Sequence, residues 1–415
     1  MMSWLGLWLI GIVLALVPLV AALPWLATLD WDLFKALVRK PANWGRLLAG
    51  LAGAGLVLAL FLAGVQDRER LQVWGRAYGS LLQILVSADL FVVGFLVLLA
   101  IWPRGGAVAL AAFREGIRQP LFWLLAGGAA FLMVALLVIP FFTFGDDYRM
   151  MKVLDMEVVV AATTIFVVIT ASMSISDEIE GRTAVTLLSK PLSRRQFLLG
   201  KFAGILLAGL AVASLAGWWL NWALYVKPLI DPNEMVDPLQ EQIEPQVMAW
   251  AQSLTSQREA ASFLEGAGAW WGSALAVLPG LVIGAGQAML FLAIACALAT
   301  RLPMVVNVLT CLVIFFLGNL APHLSQIVMS QQYAHLREHG SENTALGLVE
   351  FMAKLFSVVL PALEYFGLDS AIVRDQALPV GPYVGNAGLV LGYSVLYSAI
   401  ALLLGLILFE DRDLA

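Results

Sequence analysis

Residues 174–204 read Ser174-Ile-Ser-Asp177-Glu178-Ile-Glu180-Gly-Arg182-Thr183-Ala-Val185-Thr-Leu187-Leu188-Ser-Lys190-Pro191-Leu-Ser193-Arg194-Arg195-Gln196-Phe-Leu-Leu-Gly200-Lys201-Phe-Ala-Gly204. The acids Asp177, Glu178 and Glu180 are expected at the start of a helix, where carboxylates meet the positive end of its dipole. Val185, Leu187 and Leu188 follow as an apolar stretch, and Pro191 ends it. Ser193 with Gln196 three residues on spells a capping box that opens the next apolar run. Arg182, Lys190, Arg194, Arg195 and Lys201 make this the most basic loop of the chain, which places it on the cytoplasmic side. A short amphipathic helix tied at both ends to the membrane suits insertion into a cleft on a partner protein. The same residues also fit a plain inter-span loop held by snorkelling arginines, and physics leaves both open.

The rest of the chain says what the loop joins. Of 415 residues, 61% are hydrophobic and 13% charged, against about half and a quarter in soluble domains. The apolar runs at 5–23, 47–64, 81–102, 120–142, 158–173, 197–222, 274–298, 305–320 and 383–409 each approach the ~20 residues that cross a bilayer as a helix. That makes nine spans in an all-α polytopic membrane protein. The N-terminus lacks a basic region and reads as a span, not as a cleaved signal. Lys35, Arg39, Lys40 and Arg46 lie inside, so the N-terminus is outside and the C-terminus cytoplasmic.

Between the third and fourth spans, Pro103-Arg-Gly-Gly106 breaks the helix. Residues 107–119 then form a short interfacial helix with Val108, Ala111, Ala112 and Ile117 on one stripe and Phe113 at its margin. Two polar insertions, 224–272 and 321–381, are expected outside. The first carries seven acids against Lys227 and Arg258. Inside the second, 346–366 is apolar but holds Glu350, Lys354, Glu364 and Pro361, which favours a surface or re-entrant helix over a span.

The ordered elements Glu178-Ile-Glu180-Gly-Arg182-Thr183, Leu187-Leu-Ser-Lys190-Pro191, Ser193-Arg194 and Gly200-Lys201 closely resemble the signature of ABC-2-type transporter permeases. The likeness is greatest to the branch typified by permeases for multicopper-enzyme maturation and gliding motility. It runs from about residue 107 to the C-terminus and includes Phe113-Arg114-Glu115 and Leu360-Pro361 with Phe366. The resemblance implies a six-span core (107–415) with an interfacial elbow helix and a cytoplasmic coupling loop (174–196), preceded here by a three-span extension (1–106). It implies docking of the loop on a separate ATP-hydrolysing subunit, two copies of which would bind ATP and Mg. It also implies a second permease, identical or related, in the bacterial inner membrane. Asp177, Glu178, Glu180, Arg182, Thr183, Lys190, Pro191, Ser193 and Arg194 would couple to that ATPase.

The chain itself spells no Walker A loop: its one Gly-Lys pair, Gly200-Lys201, has Arg195 where the motif needs glycine. It is therefore expected to be no enzyme and to bind no cofactor of its own. His335-Leu-Arg-Glu338-His339 has the spacing of a metal-binding helix, yet no third ligand is evident and Gly340 follows at once; incidental histidines are the better reading. Cys296 and Cys311 sit in apolar runs and suggest no disulfide or metal site. The acids Asp146, Asp147, Asp155 and Glu157 read as a solvated outer loop, and many of the 14 tryptophans as interfacial anchors. Small residues four apart (Gly200 and Gly204, Ala213 and Gly217, Gly280 and Gly284) permit close helix contact. A secondary transporter would need functional charges near mid-membrane, and the spans read as nearly charge-free. A scaffold that binds proteins through its outer insertions is the remaining alternative.

Overall fold

A computed structural model of the chain describes residues 2–139, 147–180, 193–231, 238–255, 257–329, 351, 360–367 and 380–410. The described residues form twelve α-helices, one 3-10 turn at Leu363–Phe366 and no strand. In order the helices are α1 (Met2–Leu29), α2 (Trp31–Arg39), α3 (Pro41–Gly64), α4 (Arg68–Ile101), α5 (Pro103–Arg118) and α6 (Pro120–Val138). They continue with α7 (Asp147–Glu180), α8 (Arg194–Ile230), α9 (Pro238–Leu254), α10 (Arg258–Ala299), α11 (Met304–Met329) and α12 (Val380–Glu410).

Eight of these, α1, α3, α4, α6, α7, α8, α10 and α12, are long and apolar enough to cross a membrane. The ninth expected span falls on α11, whose apolar stretch Met304–Leu320 is shorter. The chain is thus an all-α, multi-pass membrane protein. Pro41, Pro103 and Pro120 each stand in the first turn of a helix, where a missing N–H costs nothing. Pro103 therefore opens α5 instead of merely ending α4.

Two expected loops are helical. α7 begins at Asp147, so 147–157 is not a solvated loop: Lys152 is buried and Asp155 has no exposed surface at all. No Gly or Pro interrupts residues 147–180, and nothing local ends the helix before Glu180. The acidic insertion is likewise smaller than its composition suggests. α8 runs on to Ile230 and α10 starts at Arg258, which leaves α9 as its described remainder. Of 346–366, the described end is the docked turn Leu363–Phe366. Leu363 and Phe366 are buried in the core, and the Ala362 amide donates to the Tyr393 hydroxyl at 3.0 Å. His335, Glu338 and His339 lie outside the described residues, and the described ones hold no group of three or more potential metal ligands.

α10 is the central helix, packed on α4, α7, α8, α9, α11 and α12. Its segment from Leu290 to Ala295 is buried on every side, as a helix hydrophobic all round should be. Glycines bring its neighbours close. A Cβ on Gly284 would strike Val160 of α7, and one on Gly217 of α8 would sit 3.0 Å from Leu281.

The N-terminal helices join the rest along the α4–α10 seam. A Cβ on Gly75 would collide with the Phe263 carbonyl, and one on Gly266 with that of Gln72, so the two backbones nearly touch. At the top of the seam Arg68 and Gln72 both donate to Glu265, at 3.0 and 3.1 Å. Lower down, Trp270 Nε1 donates to Gln83 Oε1 at 2.8 Å and Trp218 Nε1 to the Ser80 carbonyl at 3.2 Å. These tryptophans are thus not interfacial anchors. Trp270 is fully buried and tilted against Trp222 with ring centroids 4.9 Å apart, because a bulky ring with one N–H donor serves equally well between helices. Trp4, by contrast, is 56% exposed.

Replacing Gly75 by leucine should wedge α4 from α10 and lower the unfolding temperature of the detergent-solubilised chain by several degrees, a cost of ~1–3 kcal/mol or more. Gly94→Leu on the same helix, where a Cβ meets nothing within 4 Å, should leave it unchanged.

Candidate functional site: the root of the 181–192 loop

The loop emerges between the end of α7 at Glu180 and the start of α8 at Arg194. Arg182, Thr183, Lys190 and Pro191 lie outside the described residues, as does the expected amphipathic helix, so the site is built from what anchors the loop. The acids do not begin a helix. Asp177, Glu178 and Glu180 form the last turn of α7, because the 34-residue helix continues unbroken through them. A carboxylate in the last turn of a helix meets the negative end of the dipole, which costs roughly 0.3–1 kcal/mol at an exposed position. Asp177 is exposed, and Glu178 is drawn inward to a counter-charge.

That counter-charge is Lys201, in the second turn of α8 and only 5% exposed. Its ammonium donates to Glu178 Oε1 at 2.6 Å, Ser174 Oγ at 2.7 Å and Glu115 Oε2 at 3.2 Å. Three donors meet three acceptors. Ser174 in turn donates to the Glu115 carboxylate at 3.1 Å, which closes the network. One buried cation therefore ties together α5, α7 and α8. Glu115 of the expected elbow helix is in this site; Phe113 instead packs on Phe91 and Phe95 of α4, with centroids 5.9 and 4.8 Å away, and Arg114 is exposed.

Small residues allow this approach. The buried ridge of α5 is Gly105, Ala109, Ala112 and Gly116, one step round from the expected stripe, and Ala111 is exposed. Against it lie Gly200 and Gly204. A Cβ on Gly200 would stand 2.8 Å from Val108, and one on Gly204 would collide with the Ala109 carbonyl. The Gly200/Gly204 pair thus does what its spacing suggested, with α5 as the helix it admits.

The other side of the root is fastened by arginines. Ser193 and Gln196 form the capping box read from the sequence, with the Gln196 amide donating to Ser193 Oγ at 3.2 Å and the Ser193 amide to Gln196 Oε1 at 3.1 Å. The next residue, Arg194, donates to the carbonyls of Phe409 and Glu410, and its guanidinium lies 5.3 Å from the Phe409 ring. Arg301, in the turn between α10 and α11, donates to the Leu408 carbonyl at 2.9 Å. Two cations thus satisfy the orphan carbonyls at the end of α12, where helix polarity favours them. Ser176 donates to the Leu302 carbonyl at 3.2 Å, and Asn307 bridges Ser172 and the Ala295 carbonyl at 3.0 and 2.9 Å. The ends of α5, α7, α8, α10, α11 and α12 meet at one platform.

Two features escape a reading of motifs. Gly200-Lys201 appears as a sequence pair, but the lysine's partners lie 23, 27 and 86 residues away. The helices are also less charge-free than their hydropathy suggests: Asp155 is buried and Asp89 lies within α4, and among the described residues neither Asp155 oxygen, nor Asp89 Oδ1, has a hydrogen-bond partner.

Lys201→Met leaves Glu115 and Glu178 facing each other without their cation. It should destabilise the chain by about 3 kcal/mol in unfolding measurements. Adding Glu115→Gln and Glu178→Gln should restore most of the loss, since removing all the charges is far cheaper than stranding two. Ser193→Ala should cost about 1 kcal/mol by loss of the cap.

The chain matches no curated protein sequence. A family model described as ABC-2 family transporter protein matches residues 106–414. The match begins within α5, so α1 to α4 precede it, and it takes in the whole platform. Covering well over half of the sequence, it establishes that the chain belongs to the ABC-2 family of transporter membrane proteins.

Proposed function

We propose that the chain is the membrane-spanning permease subunit of an ABC transporter, driven by ATP hydrolysis on a separate subunit docked at the 181–192 loop. The observation that carries this reading is the construction of the loop's root. A loop with no mechanical role needs only two helix ends. This one leaves a platform where buried Lys201 joins α5, α7 and α8, and Arg194 and Arg301 clamp α12. A push on the loop reaches six helices through charge-assisted bonds, the strong and geometrically specific kind.

In this reading Asp177, Glu178 and Glu180, with Arg182, Thr183, Lys190 and Pro191, form the contact with the ATPase. Ser193 and Arg194 fix the loop to α8 and α12. Gly200-Lys201 has no part in phosphate binding, since both residues lie inside a helix and the lysine is already saturated. ATP and Mg are held by the partner, in two copies. The loop side is cytoplasmic, the N-terminus outside, and the membrane the bacterial inner membrane.

The permease works as a pair. An apolar groove of about 350 Å³ opens between α7, α10 and α11, lined by Val160, Ile165, Val168, Phe291, Leu312 and Phe315. Beside it α11 presents exposed Val305, Leu309, Val313 and Phe316. A second permease seated along this face would enclose the groove as a path between the two chains, which rearranges when the platforms move. A secondary transporter would place its working charges along such a path, whereas the described lining of this groove is mainly apolar, with Thr164 and Gln287 polar and Glu157 its one acid.

Pull-down of the tagged chain from its own membranes should recover an ABC ATPase. Asp177→Lys with Glu180→Lys, which reverses charge without touching the Lys201 network, should abolish that recovery and cut ATP-dependent transport at least tenfold while the unfolding temperature holds. Recovery of no ATPase by the unaltered chain, or undiminished transport in the variant, would defeat the reading.

A further inference from the structure

α2 is a nine-residue helix joined to α1 and α3 by single residues, Asp30 and Lys40. Its flanking helices α1 and α3 are both long and apolar enough to span. α3 reaches the Arg68 end of α4 through residues 65–67 only, so its Pro41 end lies a full span away. The other end of α4 leads directly into α5 and the platform. α2 therefore lies on the same side of the membrane as the 181–192 loop. Tied at both ends to spans, it cannot leave the bilayer surface.

Its side chains divide sharply. At 100° per residue Trp31, Phe34 and Val38 fall on one face, with Lys35 and Arg39 on the adjoining one. Trp31 and Phe34 stack with centroids 5.9 Å apart, and Lys35 Nζ lies 4.9 Å above the Trp31 ring. Trp31 is 56% exposed and Val38 44%; Trp44, whose indole donates to the Val38 carbonyl at 2.9 Å, is 51% exposed. Around them stand Lys35, Arg39, Lys40 and Arg46 against Asp30 and Asp32, a local excess of two positive charges.

We infer that α2 is a binding site for anionic phospholipid headgroups. Trp31, Phe34 and Val38 sink into the boundary of the acyl region, and Lys35, Arg39, Lys40 and Arg46 engage the phosphates above it. Among the described side chains Trp31 and Val38 stand exposed on the apolar face of α2, and the tether holds the helix at the bilayer surface, where that face can meet lipid. The charge on the adjoining face selects which lipid, because basic side chains at this depth are drawn to an anionic leaflet. The Lys35–Trp31 contact holds an ammonium at the level where indoles rest, which is headgroup depth. The inference needs only that α1 and α3 span the bilayer, and it stands or falls apart from the ATPase reading.

The test uses the full-length chain with Val38→Cys carrying an environment-sensitive dye, the native Cys296 and Cys311 being buried. It is reconstituted in vesicles of phosphatidylcholine alone or mixed with phosphatidylglycerol. Dye emission should be blue-shifted in both, and phosphatidylglycerol should be retained on purification. Lys35→Gln with Arg39→Gln and Lys40→Gln should lower that retention by about fivefold for each charge removed. Lys35→Arg with Lys40→Arg should preserve it. Emission at the wavelength of dye in water, or equal phosphatidylglycerol retention by the triple glutamine variant, would overturn the inference.

Discussion

The Lys201 ammonium is the constraint around which the loop side of this protein is arranged. A lysine almost without exposed surface is tolerable only with every donor satisfied and an opposite charge close by. Meeting that condition requires Glu178 from the last turn of α7 and Glu115 from α5 to reach one point on α8. Glu178 would otherwise be out of place, since it sits at the wrong end of a helix dipole. The cluster carries a net charge of about minus one, but it grades from the buried lysine to the half-exposed Glu115, so the excess is left near water. Backbone contact at Gly200 and Gly204 makes the reach short enough for direct bonds.

This arrangement explains why α5 is more than a float at the interface. Its ridge of Gly105, Ala109, Ala112 and Gly116 has nothing large enough to hold it in lipid by hydrophobic burial alone. Close packing and one ion pair hold it to α8 instead, which makes α5 sensitive to any displacement of that helix. The same logic applies to α12. Its last carbonyls are capped by Arg194 and Arg301, side chains from two other elements, so its end is fixed relative to the loop root and the α10–α11 turn together.

Much of this was legible in the sequence, and for identifiable reasons. Apolar runs near bilayer length mark helices whatever their neighbours, since lipid offers the backbone no other partners. A Ser193–Gln196 cap is a contact between residues three apart, which sequence displays directly. Glycines four apart promise close contact but do not name the partner, and Gly204 needed the structure to show Ala109 opposite. Charge is where local reading fails. The start-of-helix reading of Asp177 and Glu178 took them as the first residues after a span; the helix in fact carries through them, since helix ends are set by what lies beyond as much as by composition. Lys201 read as one more cytoplasmic positive charge, because burial by α5 depends on residues 86 positions earlier.

Asp155 and Trp270 show the same limit from the other direction. Each lies near a predicted membrane boundary, where acids read as solvated and tryptophans as anchors. Both are buried because α7 and α10 extend well past the hydrocarbon layer and continue packing there: α10 has 42 residues, about 63 Å of helix, against roughly 30 Å of hydrocarbon. The seam that fastens α4 to α10 through Glu265 and Trp270 lies in this overhang, above the heights that hydropathy can see. On the loop side the platform occupies the opposite overhang. Specific polar structure is concentrated in these two layers because there the desolvation cost of a charge is lower than at mid-bilayer, while helix packing is still dense enough to fix its partners.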